Sequence, residues 1–200
     1  ELSYNNIGME GAQALATLKG APSLQALQLV LNGNPGIGVE GAEALAELRD
    51  APFLRSLHLD LYANSLGFAG AVALAKLKDA PCLETLHLGL ADNELGPSGA
   101  QALATLNESM SLTQLSLNLE DNNLGAYGAL ALAALKDAPA LRTLLLGLSD
   151  NCLGDQGAKA LATLRDSHTL HTLTLELSNN DIKAAGREAL DILREMPATR

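Results

Sequence analysis

Residues 112–125 read LTQLSLNLEDNNLG and residues 128–135 read GALALAAL, and these two stretches decide the fold. In the first stretch, leucines alternate with polar residues, which places the leucines on one face of a β-strand. The asparagine, leucine and glycine that close this stretch mark a turn. In the second stretch, Leu132 and Leu135 are three residues apart and share one face of a helix. The two stretches therefore predict a strand, a turn and a helix.

The same frame recurs along the whole chain, and an asparagine marks its period. The step between these asparagines is 29 residues five times and 30 once, at Asn5, Asn34, Asn64, Asn93, Asn122, Asn151 and Asn180. A fixed period of this length is typical of a solenoid, in which each unit stacks on its neighbours. We predict a single domain over residues 1–200 with about seven repeats. The first repeat is incomplete, because the chain opens at Leu2, partway through a strand.

The order of elements predicts the shape of the array. Each strand is separated from the next by a helical crossover, so neighbouring strands must be parallel. Strands stack about 4.8 Å apart, whereas helices need about 10 Å. The chain should therefore form a curved α/β arc, with parallel strands on the concave face and helices on the convex face.

This frame resembles the leucine-rich repeat. The 29-residue length and the alanine-rich helix in each unit resemble the ribonuclease-inhibitor-like subclass. The family pattern is L-x-x-L-x-L-x-x-N-x-L, whereas the units here read L-x-x-L-x-L-x-L-x-x-N-x-L. We expect either a longer strand or a leucine that faces into the turn. The resemblance implies protein binding on the concave face and supplies no catalytic residue.

Composition excludes several classes of function. The formal net charge of −10 argues against nucleic-acid binding and favours a protein partner with a basic or mixed-charge surface. The longest apolar run, residues 130–135, is far short of the roughly 20 residues that span a bilayer. Cys82 and Cys152 lie more than two repeats apart, too far for a disulfide. Free thiols favour a reducing compartment, so we predict an intracellular, cytoplasmic protein.

The outward positions of the strands form columns that predict the binding surface. These columns, together with the residues that precede the repeated asparagines, hold acidic and polar side chains and no lysine or arginine. A basic partner segment would gain association rate and specificity on such a surface. The predicted partner-binding residues are His58, Asp60, Tyr62, His87, Asp92, Asn118, Glu120, Asp121, Asp150 and Glu176.

Other interpretations of these residues remain open. His58 and His87 occupy neighbouring copies of one column near Asp60, but a zinc site needs three or four convergent ligands. Asp92, Asp121 and the equivalent aspartate of the next unit would form a ladder that attracts a cation, although turn residues bonded to their own backbone explain them as well. We predict no enzymatic activity, no cofactor and no resident metal. The alternatives are a regulator, such as an inhibitor or a GTPase-activating component, and a module that binds a cation or small ligand.

The two ends and the outer helices carry weaker signals. The first repeat has no cap, so we expect the leucines beneath it (Leu15, Leu18 and Leu29) to be covered by missing sequence or by another chain. The last helix, residues 186–195, is more charged than the others and is interpreted as a cap. Three apolar residues that break the polar outer column of the helices are interpreted as incidental: Val72, Leu130 and Ile192.

Overall fold

The computed structural model describes residues 1–195, so the last five residues of the predicted domain lie outside the described part. Six strands alternate with seven helices in these residues. The strands are β1 (Ala26–Val30), β2 (Ser56–Asp60), β3 (Thr85–Gly89), β4 (Gln114–Asn118), β5 (Thr143–Gly147) and β6 (Thr172–Glu176). The helices are α1 (Met9–Ala16), α2 (Gly38–Ala46), α3 (Gly67–Ala75), α4 (Gly96–Ala104), α5 (Gly125–Leu132), α6 (Gly154–Ala162) and α7 (Ala184–Asp191). None of these helices is long and apolar enough to cross a membrane.

The strands form one parallel sheet in the order β1-β2-β3-β4-β5-β6, and each helix packs against the next one along the chain. The register keeps equivalent residues opposite one another, so Leu57 of β2 faces Leu86 of β3 and Leu86 faces Leu115 of β4. These leucines are fully buried between the sheet and the helices. The predicted α/β solenoid is confirmed.

The added leucine of each unit both extends the sheet and faces the core. Strand β4 ends at Asn118, yet the next residue, Leu119, donates its N–H to the carbonyl of Gly147 at 2.7 Å. Two residues further, the N–H of Asp121 donates to the carbonyl of Ser149 at 3.1 Å. The Leu119 side chain is 0% exposed. The inter-strand hydrogen bonding therefore continues past the strand, as in the first alternative, whereas the added leucine faces the core and not the turn.

Each predicted helix ends in a tighter segment that the sequence did not indicate. Helix α4 stops at Ala104, and Thr105–Glu108 continues as a 3₁₀ helix. A 3₁₀ helix has three residues per turn, so residues three apart point the same way. Leu103 and Leu106 are both buried against the sheet as a result. The 3₁₀ segments recur in every unit.

The repeated asparagines from Asn34 to Asn180 form a buried hydrogen-bond ladder. Asn93 is 1% exposed, and its amide Nδ2 donates to the carbonyls of Leu61, Leu90 and Ala91. Its Oδ1 accepts the N–H of Asn64 and also that of Leu66, both in the preceding unit. Each of these six buried asparagines therefore bonds backbone groups of two units and joins them, whereas Asn5 is exposed.

The one-residue insertion breaks this ladder at a single step. Asn64 is fully buried, but its Oδ1 has no hydrogen-bond partner. In the preceding unit the inserted residue lengthens the turn, so Ile37 lies three residues after Asn34, whereas Leu66 lies two residues after Asn64. The N–H of Ile37 donates to the carbonyl of Asn34 and not to the Asn64 side chain. The extra residue thus leaves a buried oxygen without its two usual donors.

The N-terminal end is less exposed than the sequence predicts. Leu29 is 8% exposed, since the opening residues of the chain continue the sheet: the N–H of Leu2 donates to the carbonyl of Val30 at 2.8 Å. Leu15 is half-buried and Leu18 is 36% exposed. The opening residues therefore help to cover Leu29, and the expectation that missing sequence or another chain covers this end stays a prediction.

The charged last helix does not close the C-terminal end in the described residues. Leucines of β6 and of the segment that follows it remain half-buried. They line an open apolar groove with the last helix and its 3₁₀ extension: Leu173, Leu175, Leu177, Leu190 and Leu193. The described part of α7 leaves this groove open, and the interpretation of the last helix as a cap stays a prediction.

Candidate functional site

The outward side chains of the strands build the concave surface. Each strand buries its leucines and turns the residues between them outward, and the in-register pairing stacks those residues in columns. One column passes from His58 to His87 and Ser116. The next passes from Asp60 to Gly89 and Asn118, so a glycine separates two polar side chains. These columns position the predicted binding residues.

A depression on this surface collects most of those residues. It is an open hollow of about 360 Å³ at the carboxyl ends of β1 to β4. Its lining includes four carboxylates and no lysine or arginine. The lining residues are Asn32, Asp60, Tyr62, Ala91, Asp92, Asn118, Glu120 and Asp121. We call this hollow the acidic depression.

Neighbouring side chains fix the orientation of Asp60. Its carboxylate Oδ2 accepts a hydrogen bond from Asn32 Nδ2 at 3.1 Å. A Cβ atom at Gly89 would lie only 2.4 Å from Asp60 Oδ1, so the absence of a side chain at Gly89 lets the carboxylate lie across that strand. Asn32 also accepts the N–H of Tyr62 through Oδ1 at 3.0 Å. Sequence reasoning missed these roles of Asn32 and Gly89, although both residues lie in its columns.

On the other side of the acidic depression, Asn118 holds the start of the following turn. Its Oδ1 accepts the N–H of Glu120 at 3.2 Å. A Cβ atom at Gly147 would lie 2.9 Å from the same oxygen, so Asn118 leans across the next strand as Asp60 does. From β2 to β6, glycines therefore alternate with polar residues in this column. Gly89 leaves room for the Asp60 carboxylate, and Gly147 leaves room for the Asn118 amide.

The aspartates of the turn edge owe their place to backbone geometry. Asp92, Asp121 and Asp150 have φ angles of 54°, 52° and 57°, in the left-handed region that aspartate and asparagine tolerate better than most residues. The N–H of each aspartate donates to a carbonyl of the next unit. Asp92 and Asp121 also line the acidic depression, whereas Asp150 lies apart and accepts a hydrogen bond from Asn179 Nδ2 at 3.3 Å.

The two histidines stack on each other. The ring centroids of His58 and His87 are 4.0 Å apart with an interplanar angle of 23°. His87 Nδ1 lies 2.9 Å from Ser116 Oγ. Burial lowers the pKa of His87 below its ordinary 6.5, and the neighbouring His58 lowers the pKa further, while Asp60 opposes the shift. His87 is therefore held neutral more strongly than an exposed histidine.

A second, smaller hollow lies on the far side of His87. It has a volume of about 180 Å³, and Glu176 is its one carboxylate. Leu145, which is 39% exposed, gives it an apolar wall. Of the ten predicted site residues, six line the acidic depression, including Asn118, which also lines the second hollow together with His87 and Glu176. His58 and Asp150 lie outside both linings.

The metal alternative finds no support in the arrangement. Within residues 1–195, no group of three or more histidine, cysteine, aspartate or glutamate side chains has a placement that could hold a metal ion. The histidines stack face to face, and the turn aspartates follow from their backbone conformation. Cys82 and Cys152 are both free.

The fold and the concave columns define a class of protein, the solenoid that presents a repeated strand surface. Comparison with protein families is more specific. The family model described as Leucine Rich repeat matches residues 1–16, 22–46, 80–104, 109–133, 141–162 and 169–190. The chain belongs to the leucine-rich repeat family. No curated protein matches the chain closely enough to serve as a named relative.

The matched segments omit residues 47–79, which include β2 and α3. This unit keeps the leucine frame in the structure, since Leu57, Leu59 and Leu61 are all fully buried. It also contributes Asp60 and Tyr62 to the acidic depression. Leucine-rich repeats generally mediate protein–protein interaction, and the site described above is part of the surface that faces inward along the arc.

Proposed function

We propose that the protein is a non-catalytic interaction module, or a scaffold within a larger assembly, that binds a protein partner through the acidic depression. The observation that carries this proposal is the convergence of Asp60, Asp92, Glu120 and Asp121 around one hollow. Three consecutive strands and their turns contribute these side chains, so the folded array, and not a local motif, creates the acidic surface.

The chemistry of the acidic depression favours a lysine or arginine side chain of the partner. Carboxylates pair with such cations, and arginine can engage a carboxylate through two parallel hydrogen bonds. Tyr62, which is 40% exposed at the margin, offers a ring face for a cation and an apolar surface for its stem. The hollow of about 360 Å³ has room for a side chain but not for a folded element. A partner would therefore insert one or two basic side chains from an extended or loop segment.

The remaining parts of the proposal rest on charge, composition and family. The same carboxylates would repel nucleic-acid phosphates, so we infer a protein partner and no nucleic acid. The alanine-rich helix and the 29-residue period support the ribonuclease-inhibitor-like subclass. Two free cysteines support an intracellular, cytoplasmic location. The non-catalytic role rests on the family, whose repeats generally mediate protein–protein interaction.

A matched pair of variants tests the proposal. In the first variant Asp60→Asn, Glu120→Gln and Asp121→Asn neutralise the acidic depression. The control variant neutralises the same number of exposed carboxylates on the convex helices, through Glu10→Gln, Glu40→Gln and Glu188→Gln. Immobilised wild type and both variants are used to capture proteins from a cell lysate, and each captured protein is then titrated in purified form against the three.

We expect a basic partner that binds the wild type and the control equally and loses about tenfold or more in affinity for the first variant, equivalent to about 1.4 kcal/mol. Binding to the wild type should also weaken with added salt. Equal loss for both variants would show that only net charge matters. Equal retention would exclude the acidic depression as the binding site.

The same purified partner separates a scaffold from a regulator. If the partner is an enzyme, a regulator such as an inhibitor or a GTPase-activating component changes its turnover when added pure, whereas a scaffold does not. We infer a scaffold, and unchanged turnover at saturating concentrations of this protein is the expected result.

A further inference from the structure

The middle three helices of the convex face carry no charge. Helices α3, α4 and α5 read GFAGAVALA, GPSGAQALA and GAYGALAL, without a single lysine, arginine, aspartate or glutamate. The flanking helices are different: α2 carries Glu40 and Glu43, and α6 carries Asp155 and Lys159. In a chain with a formal net charge of −10, these three adjacent helices form an uncharged surface, bordered by the charged 3₁₀ segments that continue them, Lys76–Asp79, Thr105–Glu108 and Ala133–Asp137. We call it the uncharged face.

Large apolar side chains project from this uncharged face into solvent. Phe68 and Val72 of α3 are 58% and 45% exposed, and Tyr127 and Leu130 of α5 are 80% and 60% exposed. Their exposure means that they contribute little to the core, so stability of the array does not explain them. Exposed apolar residues that share a contiguous face, unlike single ones, mark interaction sites.

The outer column of the helices has a two-fold pattern centred on α4. Equivalent positions 29 residues apart are all exposed: Glu43, Val72, Gln101, Leu130 and Lys159. The central residue is polar, the two beside it are apolar, and the two outermost carry opposite charges. A two-fold axis parallel to α4 would place Val72 of one copy on Leu130 of the other and Gln101 on its own equivalent. It would also place Glu43 opposite Lys159. An axis across the helices would instead oppose Glu43 to Glu43.

We propose that two copies of this chain associate back to back through the uncharged face, related by a two-fold axis along α4. Such an interface is self-complementary, as in the commonest homodimers. The charges also select this face, because copies with a net charge of −10 repel one another wherever acidic surfaces meet. The two Val72–Leu130 pairs on either side of the central Gln101 supply attraction, and the opposite charges of α2 and α6 set the orientation.

The size of the face sets the strength of this association. Three helices about 10 Å apart and about 13 Å long cover roughly 400 Å² per copy. Stable complexes bury about 800 Å² per partner, and the convex curvature confines close contact to the middle helices, so the charges of α2 and α6 act across solvent. The dimer should therefore be weak, with a dissociation constant of about 0.1 to 1 mM.

Sedimentation equilibrium of the full chain tests the association. From about 10 μM to about 1 mM protein in about 0.15 M salt, we expect the average mass to rise from the monomer value of 20.7 kDa towards twice that value. The variant Val72→Glu with Leu130→Glu should lower the association constant by about tenfold or more, because it places carboxylates opposite one another. The matched control is Phe53→Glu with Met110→Glu, which adds the same charge at exposed apolar positions outside the face and should associate as the wild type does.

Charge exchange tests the orientation. At low salt, Glu43→Lys alone and Lys159→Glu alone should each weaken association, while the two together should restore it. A monomer at every concentration would overturn the proposal, as would equal effects of the test and control double variants. If the variant that carries both Glu43→Lys and Lys159→Glu does not recover the association, the axis does not lie along α4. Circular dichroism of each variant confirms that it is folded, and none of these changes touches the acidic depression.

Discussion

The asparagine ladder provides a matched experiment within one molecule. The Nδ2 groups of Asn64 and Asn122 each donate two hydrogen bonds to carbonyls, Asn64 to Leu31 and Tyr62 and Asn122 to the equivalent residues of its own units. The two asparagines differ at the other end of the amide. Asn122 Oδ1 accepts two N–H groups, whereas Asn64 Oδ1 accepts none.

Replacing Asn122 by alanine should therefore cost more than replacing Asn64. Both changes remove the same donor bonds, and a buried group left unpaired costs about 1 to 3 kcal/mol. Asn122→Ala additionally leaves the N–H groups of Asn93 and Leu95 buried without an acceptor, whereas Asn64→Ala removes an oxygen that was already unsatisfied. We expect the free energy of unfolding to fall by about 2 kcal/mol or more beyond the loss at Asn64.

Urea unfolding followed by circular dichroism and by tyrosine fluorescence measures this difference. Coincident transitions and equal slopes for both variants establish that the free energies are comparable. If the two losses in free energy of unfolding differ by less than about 0.5 kcal/mol, or if the loss is larger for Asn64→Ala, then the hydrogen bonds to Oδ1 do not stabilise the ladder as argued.

The remaining stability predictions concern the concave surface and its turn edge. Ala63 has a φ angle of 53°, where a residue with a side chain is strained, so Ala63→Gly should raise the free energy of unfolding by about 1 kcal/mol in the same urea assay. Because burial lowers the pKa of His87 below 6.5, the unfolded chain takes up a proton at this residue at a higher pH than the folded chain does. Stability should therefore decline as the pH falls through 6.5 and stop declining below the folded pKa, and His87→Gln should remove this part of the pH dependence of the melting temperature.

Sequence reasoning predicts the frame of this protein well because the frame is repeated. Alternation of leucines, the asparagine period and the crossover rule together lead to one parallel sheet with helices on the other side. A feature common to all units, such as the buried Leu119 or the Asn93 ladder, is reinforced by every copy. The 3₁₀ segments escaped prediction because an i, i+3 pair such as Leu103 and Leu106 fits both helix types over so short a stretch.

Features that belong to one unit were harder to predict. The columns indicate that Asp60 faces outward, but they do not show that Gly89 lets its carboxylate lie across the next strand or that Asn32 holds it there. The unpaired oxygen of Asn64 depends on how the chain accommodates the insertion at Pro35. The outer column by itself indicates only scattered apolar residues, because the uncharged face is a property of three adjacent helices and not of one column.

Carboxylate footprinting of the complex tests most directly whether the partner binds at the acidic depression. A captured partner is bound at saturation, exposed carboxylates are converted to amides, and the extent of labelling at each residue is measured by mass spectrometry. We expect Asp92, Glu120 and Asp121 to lose most of their labelling in the complex, while Glu40 and Glu188 on the convex helices keep theirs. Unchanged labelling of the acidic depression, with protection confined to the convex helices, would contradict this expectation.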